Sequence, residues 1–134
     1  MSGKTALQSA PARRGDAPER WRCPVARASA LFSDRWAAPI LFALDGAGER
    51  GERSERLRRG LEPVSRKVFT ETIRELERNG FVERDIAPTV PPQVTYRITP
   101  LGRELLAFLL TLVAWHEEHD DAISAARARF DDVT

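Results

Sequence analysis

Between residues 65 and 102 the chain lays down a helix, a proline-interrupted hairpin and the start of another helix in immediate succession. Few small folds accept that order. Ser65 suits an N-cap, and Val68, Phe69, Thr72, Ile73 and Leu76 then recur at helical spacing as one inner stripe. Asn79-Gly80 closes this helix with a pair that favours a left-handed C-cap. Residues 81–86 and 94–98 read as two strands. Their connection, Ala87 to Gln93, holds Pro88, Pro91 and Pro92, which stiffen it and bar it from a sheet interior. Thr99 then caps a long helix with Pro100 at its first position. Leu101, Leu105, Phe108, Leu109, Leu112, Val113 and Trp115 give that helix a broad apolar face; charge takes over after His116, and the last residues are expected to fray.

The 134 residues are expected to form one domain. Residues 1–20 carry almost no apolar content and read as a flexible N-terminal arm, whose Lys4, Arg13 and Arg14 are either phosphate contacts or a solvated tail. Order is expected over 21–119, with 120–134 as a helix end and tail. Pro24 opens a helix through Val25, Ala28, Leu31 and Phe32. Ser33 or Asp34 is expected to cap a second helix through Trp36, Ile40, Leu41 and Leu44, ended by Asp45-Gly46. Pro39 inside it should remove one hydrogen bond and kink it. Residues 47–53 read as a loop and 54–60 as a short polar helix burying Leu57 and Leu61.

The outer face of the 65–79 helix carries Arg66, Lys67, Thr70, Glu71, Arg74 and Arg78. An α-helix fits the major groove of duplex DNA, and its first turns reach base edges. Ser65, Arg66, Lys67, Thr70 and Arg74 are therefore candidate DNA contacts, an Arg for guanine and Thr70 for a thymine methyl or a phosphate. The plainer alternative is a solvated face pairing Arg74 and Arg78 with Glu71, Glu75 or Glu77. The hairpin that follows favours DNA. Within it, Thr89, Pro91, Pro92, Gln93 and Arg97 are weaker candidates, because the tip carries no cation and only Arg84 and Arg97 stand nearby. The net charge of +1 decides nothing, yet residues 50–84 hold ten Lys/Arg against seven Glu, a local +3.

Cys23 is the single cysteine, beside Pro24 at a helix start and near Arg20, Arg22 and Arg27. Those surroundings favour a thiolate and hence a sensor; a small buried packing residue is the alternative. His116 and His119, three apart among Glu117, Glu118 and Asp120, read as a charged helix end rather than a metal site. Trp21, Trp36 and Trp115 read as core or interface anchors. No phosphate loop, zinc-ligand spacing or nucleophile motif occurs, so no enzyme activity, cofactor or metal is expected. No apolar run approaches a membrane span, no secretory h-region opens the chain, and a lone cysteine fits a cytoplasmic location.

Several elements together resemble HxlR-type regulators, which are MarR-like winged-helix transcription factors: Cys23-Pro24-Val25, Asp34-Arg35-Trp36, the 64–70 and 73–77 segments, Gly80-Phe81-Val82-Glu83-Arg84, Val90-Pro91-Pro92, Tyr96-Arg97-Ile98-Thr99-Pro100-Leu101-Gly102 and Trp115. The resemblance covers roughly residues 21–119. It implies a mainly α fold with a small β-hairpin wing, a homodimer joined through the first and last helices, and a near-palindromic operator. Trp21, Leu105, Phe108, Leu112 and Trp115 are the expected dimer interface. Several members of the family sense electrophiles or oxidants through a cysteine at the position of Cys23. Departures stand beside the match: a longer 47–53 loop, Ser54 in place of an aromatic, Pro39 in place of an aliphatic residue, and Gln93 in place of a basic one. With no second cysteine, a redox switch would join Cys23 to the partner's Cys23 or to a small thiol. The expectation is a dimeric DNA-binding regulator, a repressor by promoter occlusion. The rivals are a protein-interaction module and a ligand-responsive regulator with a structural Cys23.

Overall fold

The computed structural model describes residues 23–32 and 34–133; the N-terminal arm, Trp21 and the alternative cap Ser33 lie outside them. In chain order the elements are α1 (Pro24–Ser29), a 3-10 turn (Ala30–Phe32), α2 (Ala37–Ala47), β1 (Glu52–Arg53), α3 (Ser54–Gly60), α4 (Arg66–Arg78), β2 (Val82–Ala87), β3 (Gln93–Ile98) and α5 (Pro100–Val133). The architecture is mostly helical with a three-stranded antiparallel sheet in the order β1-β3-β2.

Helix α2 is the centre of the core, with Ile40, Leu41 and Leu44 at 0% exposure. Against it lie Phe69, Ile73 and Leu76 of α4, Tyr96 and Ile98 of β3, and Leu106 and Leu109 of α5. The stripe expected on the 65–79 helix is thus its buried face, with Val68 only partly covered.

Several local expectations give way. Pro39 does not kink α2, because it is the third residue of that helix, where the backbone N–H has no intrahelical partner to lose. The first such bond runs from Ile40 N to Trp36 O at 3.0 Å. Asp34 does not cap α2 directly; its Oδ1 accepts from the backbone N–H of Trp36 at 2.7 Å, and α2 runs on past Asp45-Gly46 to Ala47. The 47–53 loop holds a 3-10 turn (Gly48–Arg50) and the strand β1, whose Glu52 and Arg53 pair with Tyr96 and Thr95. Two residues are too short to show periodicity, so only the distant partner strand makes them a strand.

Helix α4 ends as expected, on a Schellman arrangement: Phe81 N donates to Leu76 O and Gly80 N to Glu77 O, both at 3.0 Å, with Gly80 at φ 83°. Thr99 caps α5, its Oγ1 accepting from Gly102 N at 3.0 Å. That hydroxyl also donates to Gly80 O at 2.6 Å, tying the start of α5 to the end of α4.

The broad apolar face of α5 splits into two stripes. Gly102, Leu106 and Leu109 turn into the core, Leu106 having gone unnoticed in the sequence. Leu101, Phe108, Leu112, Val113 and Trp115 remain exposed, and Leu105 is half-buried between the stripes. The helix does not fray after His116 but continues unbroken to Val133, extending about 36 Å beyond its last buried residue, Leu109.

Candidate nucleic-acid interface

Ser65 opens α4 by accepting from Val68 N at 3.1 Å, which satisfies one orphan N–H of the first turn. From there Arg66, Lys67, Thr70 and Arg74 are all exposed on one face, together with Glu71 and Arg78. The opposite face is held by more than apolar contact. Thr72, only 4% exposed, donates its hydroxyl to Asp34 Oδ2 at 2.6 Å, so one carboxylate fixes both the turn before α2 and the middle of α4. The sequence places Thr72 in the inner stripe, but nothing local marks its partner 38 residues away.

Arg66 is not a solitary side chain. Its Nη1 and Nη2 donate to Glu55 Oε1 and Oε2, each at 3.0 Å, a bidentate fork that clamps the start of α4 to the start of α3. Glu55 also accepts from Arg58 Nη2 at 2.7 Å and stands 3.6 Å from Arg59 Nε. The Arg58 guanidinium holds the Glu55 carboxyl down to about 2; desolvation opposes this and the bond from Arg66 reinforces it. The folded value lies below the ordinary 4.5, so the cluster's contribution is present above about pH 4.5 and is lost as pH falls toward 2. Glu55 was missed at the sequence level. Its spacing to Arg58 and Arg59 was legible, but the bond to Arg66 spans a turn. Among the candidate α4 contacts, Lys67 and Arg74 hold no ion pair among the described residues; Arg78, outside that set, reaches Glu75 at 3.2 Å.

The hairpin is closed by five residues, 88–92, rather than seven, because Ala87 and Gln93 pair across the strands. Gln93 therefore belongs to β3 and not to the tip. Thr89 turns inward: its N–H donates to Ala87 O and its hydroxyl to Pro91 O, both at 2.8 Å. Pro91, Pro92 and the fully exposed Val90 form the outer surface of the loop. Arg97 sits opposite Glu83 near the root of the hairpin, 3.5 Å from that carboxylate and 3.9 Å from Asp85. It lies about 13 Å along the strand from Gln93. Arg84 pairs with Glu77 of α4 at 3.4 Å. The structure thus brings the α4 residues onto one face and separates Arg97 from the loop.

Cys23 is exposed and occupies the N-cap of α1, so within the protomer it is not a packing residue. His119 Nδ1 lies 2.8 Å from Trp115 O, its ring stacked on Trp115 with centroids 4.4 Å apart, while His116 faces Asp120 at 3.7 Å. Trp36 is partly buried against the core beneath Arg35. No described helix is long and apolar enough to cross a membrane.

Residues 31–124 match the HxlR-like helix-turn-helix family. The chain is 34% identical to the HTH-type transcriptional regulator YtfH of Escherichia coli (strain K12), over 79% of its own length and 82% of the relative's. It is 31% identical to YdeP of Bacillus subtilis (strain 168), an HTH-type transcriptional regulator, over 79% and 80%. Among solved structures it is similar to the transcriptional regulator ytfH from Salmonella typhimurium, with a TM-score of 0.65 at 34% identity, covering 78% of this chain and 91% of that one. It is also similar to the reduced form of the transcriptional regulator YodB from B. subtilis, with a TM-score of 0.61 at 30% identity over 72% and 92%. The redox regulator HypR in its reduced form aligns with a TM-score of 0.66 at 26% identity over 76% and 98%. On the family match and these relatives, the chain belongs to the HxlR-like helix-turn-helix family, transcriptional regulators of the MarR-like winged-helix type.

Proposed function

We propose that the protein is a homodimeric repressor that occludes a promoter by binding a near-palindromic operator. Helix α4 enters the major groove, where Ser65, Arg66, Lys67, Thr70 and Arg74 face the bases and phosphates, and the 88–92 loop lies beside the minor groove. What supports this reading most is the α4 face itself: a helix held on its inner face by the core and the Thr72–Asp34 bond, and at its start by the Arg66–Glu55 fork, leaves Lys67, Thr70 and Arg74 uncovered. The dimer forms along α5, where Leu101, Leu105, Phe108, Leu112 and Trp115 recur at alternating steps of four and three, the spacing of a coiled-coil seam. A cytoplasmic location goes with this reading.

The experiment is binding to the DNA flanking the protein's own gene across a salt series. Affinity should fall about a thousandfold or more between roughly 50 and 200 mM salt, as counterions reclaim the phosphates. A flat salt response, or equal affinity for unrelated DNA, would end this reading.

The signal we propose is an oxidant acting on Cys23. Its exposure at the N-cap of α1 supports this, as do structural neighbours described as a redox regulator in reduced and oxidised forms and as diamide-treated YodB. Two Cys23 thiols, one per protomer, would pass two electrons and two protons to diamide and form one disulfide, changing the spacing of the two α4 helices. Cys23→Ser should bind the operator normally and keep it when diamide is added. Diamide release equal to that of the wild type would remove Cys23 from the mechanism.

A further inference from the structure

The topology gives the arginines of β1 and the start of α3 a place beside α4. Strand β1 runs antiparallel to β3, with Glu52 opposite Tyr96 and Arg53 opposite Thr95. Since β3 leads away from the hairpin loop, the chain passing through β1 travels toward the loop end and delivers Arg53 and the start of α3 there. The Glu55–Arg66 fork then holds that start against the first turn of α4. Arg53 and Arg56 thereby stand at the start of α3, on the β1 edge of the sheet, next to the segment tied to the first turn of α4.

A cleft of about 1080 Å³ opens between this segment and the end of α2, where Arg50, Arg53, Arg56 and Arg59 stand against Glu52 and Glu55. The carboxylates do not neutralise it. Glu55 is committed to Arg58, Arg59 and Arg66, and Glu52 stands 3.9 Å from Arg56, at the edge of ion-pair range. Arg50 and Arg53 have no carboxylate partner among the described residues, and Arg56 is 82% exposed. Guanidinium groups of this kind match phosphate oxygens in pairs.

We propose that this arginine-lined cleft seats the DNA backbone, with Arg53 and Arg56 gripping phosphodiesters that flank the groove entered by α4. It rests on the DNA-binding reading above and adds to it a contact that carries no sequence information. Positioning the duplex from this flank would compensate for the hairpin tip, which lacks a cation.

The test is the double variant Arg53→Ala/Arg56→Ala, measured against wild type on operator and on random-sequence DNA across a salt series. Each phosphate contact adds about 0.9 to the slope of log K against log salt, so the variant's slope should be shallower by about 1–2. Operator and random DNA should weaken in parallel, leaving their ratio within about twofold. Arg53→Lys/Arg56→Lys should recover most of the slope, which separates lost charge from a damaged fold. A steep wild-type slope unchanged in the double variant overturns the cleft alone. Weakening confined to the operator also overturns it, since the arginines would then be reading bases. Stabilisation by inorganic phosphate that vanishes in the variant, with the DNA slope unchanged, makes the cleft a free-anion site and overturns the proposal too. A wild type with no salt-dependent DNA binding brings down both readings together.

Discussion

Gly102→Val is expected to lose about 3 kcal/mol or more of folding stability, lowering the melting temperature by roughly 10 °C or more. An ideal Cβ at Gly102 would lie 2.2 Å from Phe81 O and 2.8 Å from Ile98 Cγ1. The first neighbour is backbone and cannot rotate aside. Phe81 O is also occupied, accepting from Thr99 N at 3.0 Å, while Gly102 N donates to the Thr99 hydroxyl. Moving α5 outward to admit the side chain would break the junction that joins the end of α4, the start of the hairpin and the cap of α5. Gly60→Ala is the control, because its Cβ meets nothing within 4 Å. There the reduced freedom of the unfolded chain should leave stability unchanged or raised by about 0.5–1 kcal/mol. Thermal melts of the two variants test the contrast, and similar melting temperatures would mean that the junction yields.

The largest functional loss is expected from Arg66→Ala combined with Arg74→Ala. A bidentate Arg contact to a base contributes about 1–3 kcal/mol, so Arg74→Ala should bind operator roughly ten- to a hundredfold more weakly, while Arg66, its fork held by Glu55, offers the DNA its charge, and Arg66→Ala should cost several-fold. The two positions lie about 12 Å apart along α4, far enough for their effects to add. The folded state should be almost untouched. Arg66 is 73% exposed, and removing it leaves Glu55 paired with Arg58 and Arg59. Exposed ion pairs of this kind contribute only about 0–1 kcal/mol. Operator titration beside a thermal melt therefore separates recognition from folding. Operator affinity within about twofold of wild type in the double variant would remove α4 from base recognition.

Much of the architecture was legible residue by residue. The inner stripe of α4, its Ser65 cap, its Gly80 exit, the hairpin strands and the Thr99 cap all come from interactions within a few residues, and short-range chemistry leaves its pattern in the sequence. The candidate contacts on α4 were legible for the same reason: a helix with one apolar face defines the face left over. Pro39 was misjudged because its effect depends on where α2 begins, and that is set by Asp34 and Thr72 together. The tip of the hairpin was misjudged because the pairing of Ala87 with Gln93 shortens it.

By itself, then, the sequence determined α4 with both its caps, the hairpin strands and the Thr99 cap of α5, because propensity, periodicity and capping act locally. Tertiary structure decided the rest. It made a strand of Glu52 and Arg53, divided α5 into a buried and an exposed stripe, and bound Arg66 to Glu55. Each of these joins residues distant in sequence. A two-residue strand, a seam in an apolar helix and an ion pair between helices have no pattern of their own until the core brings their partners within reach.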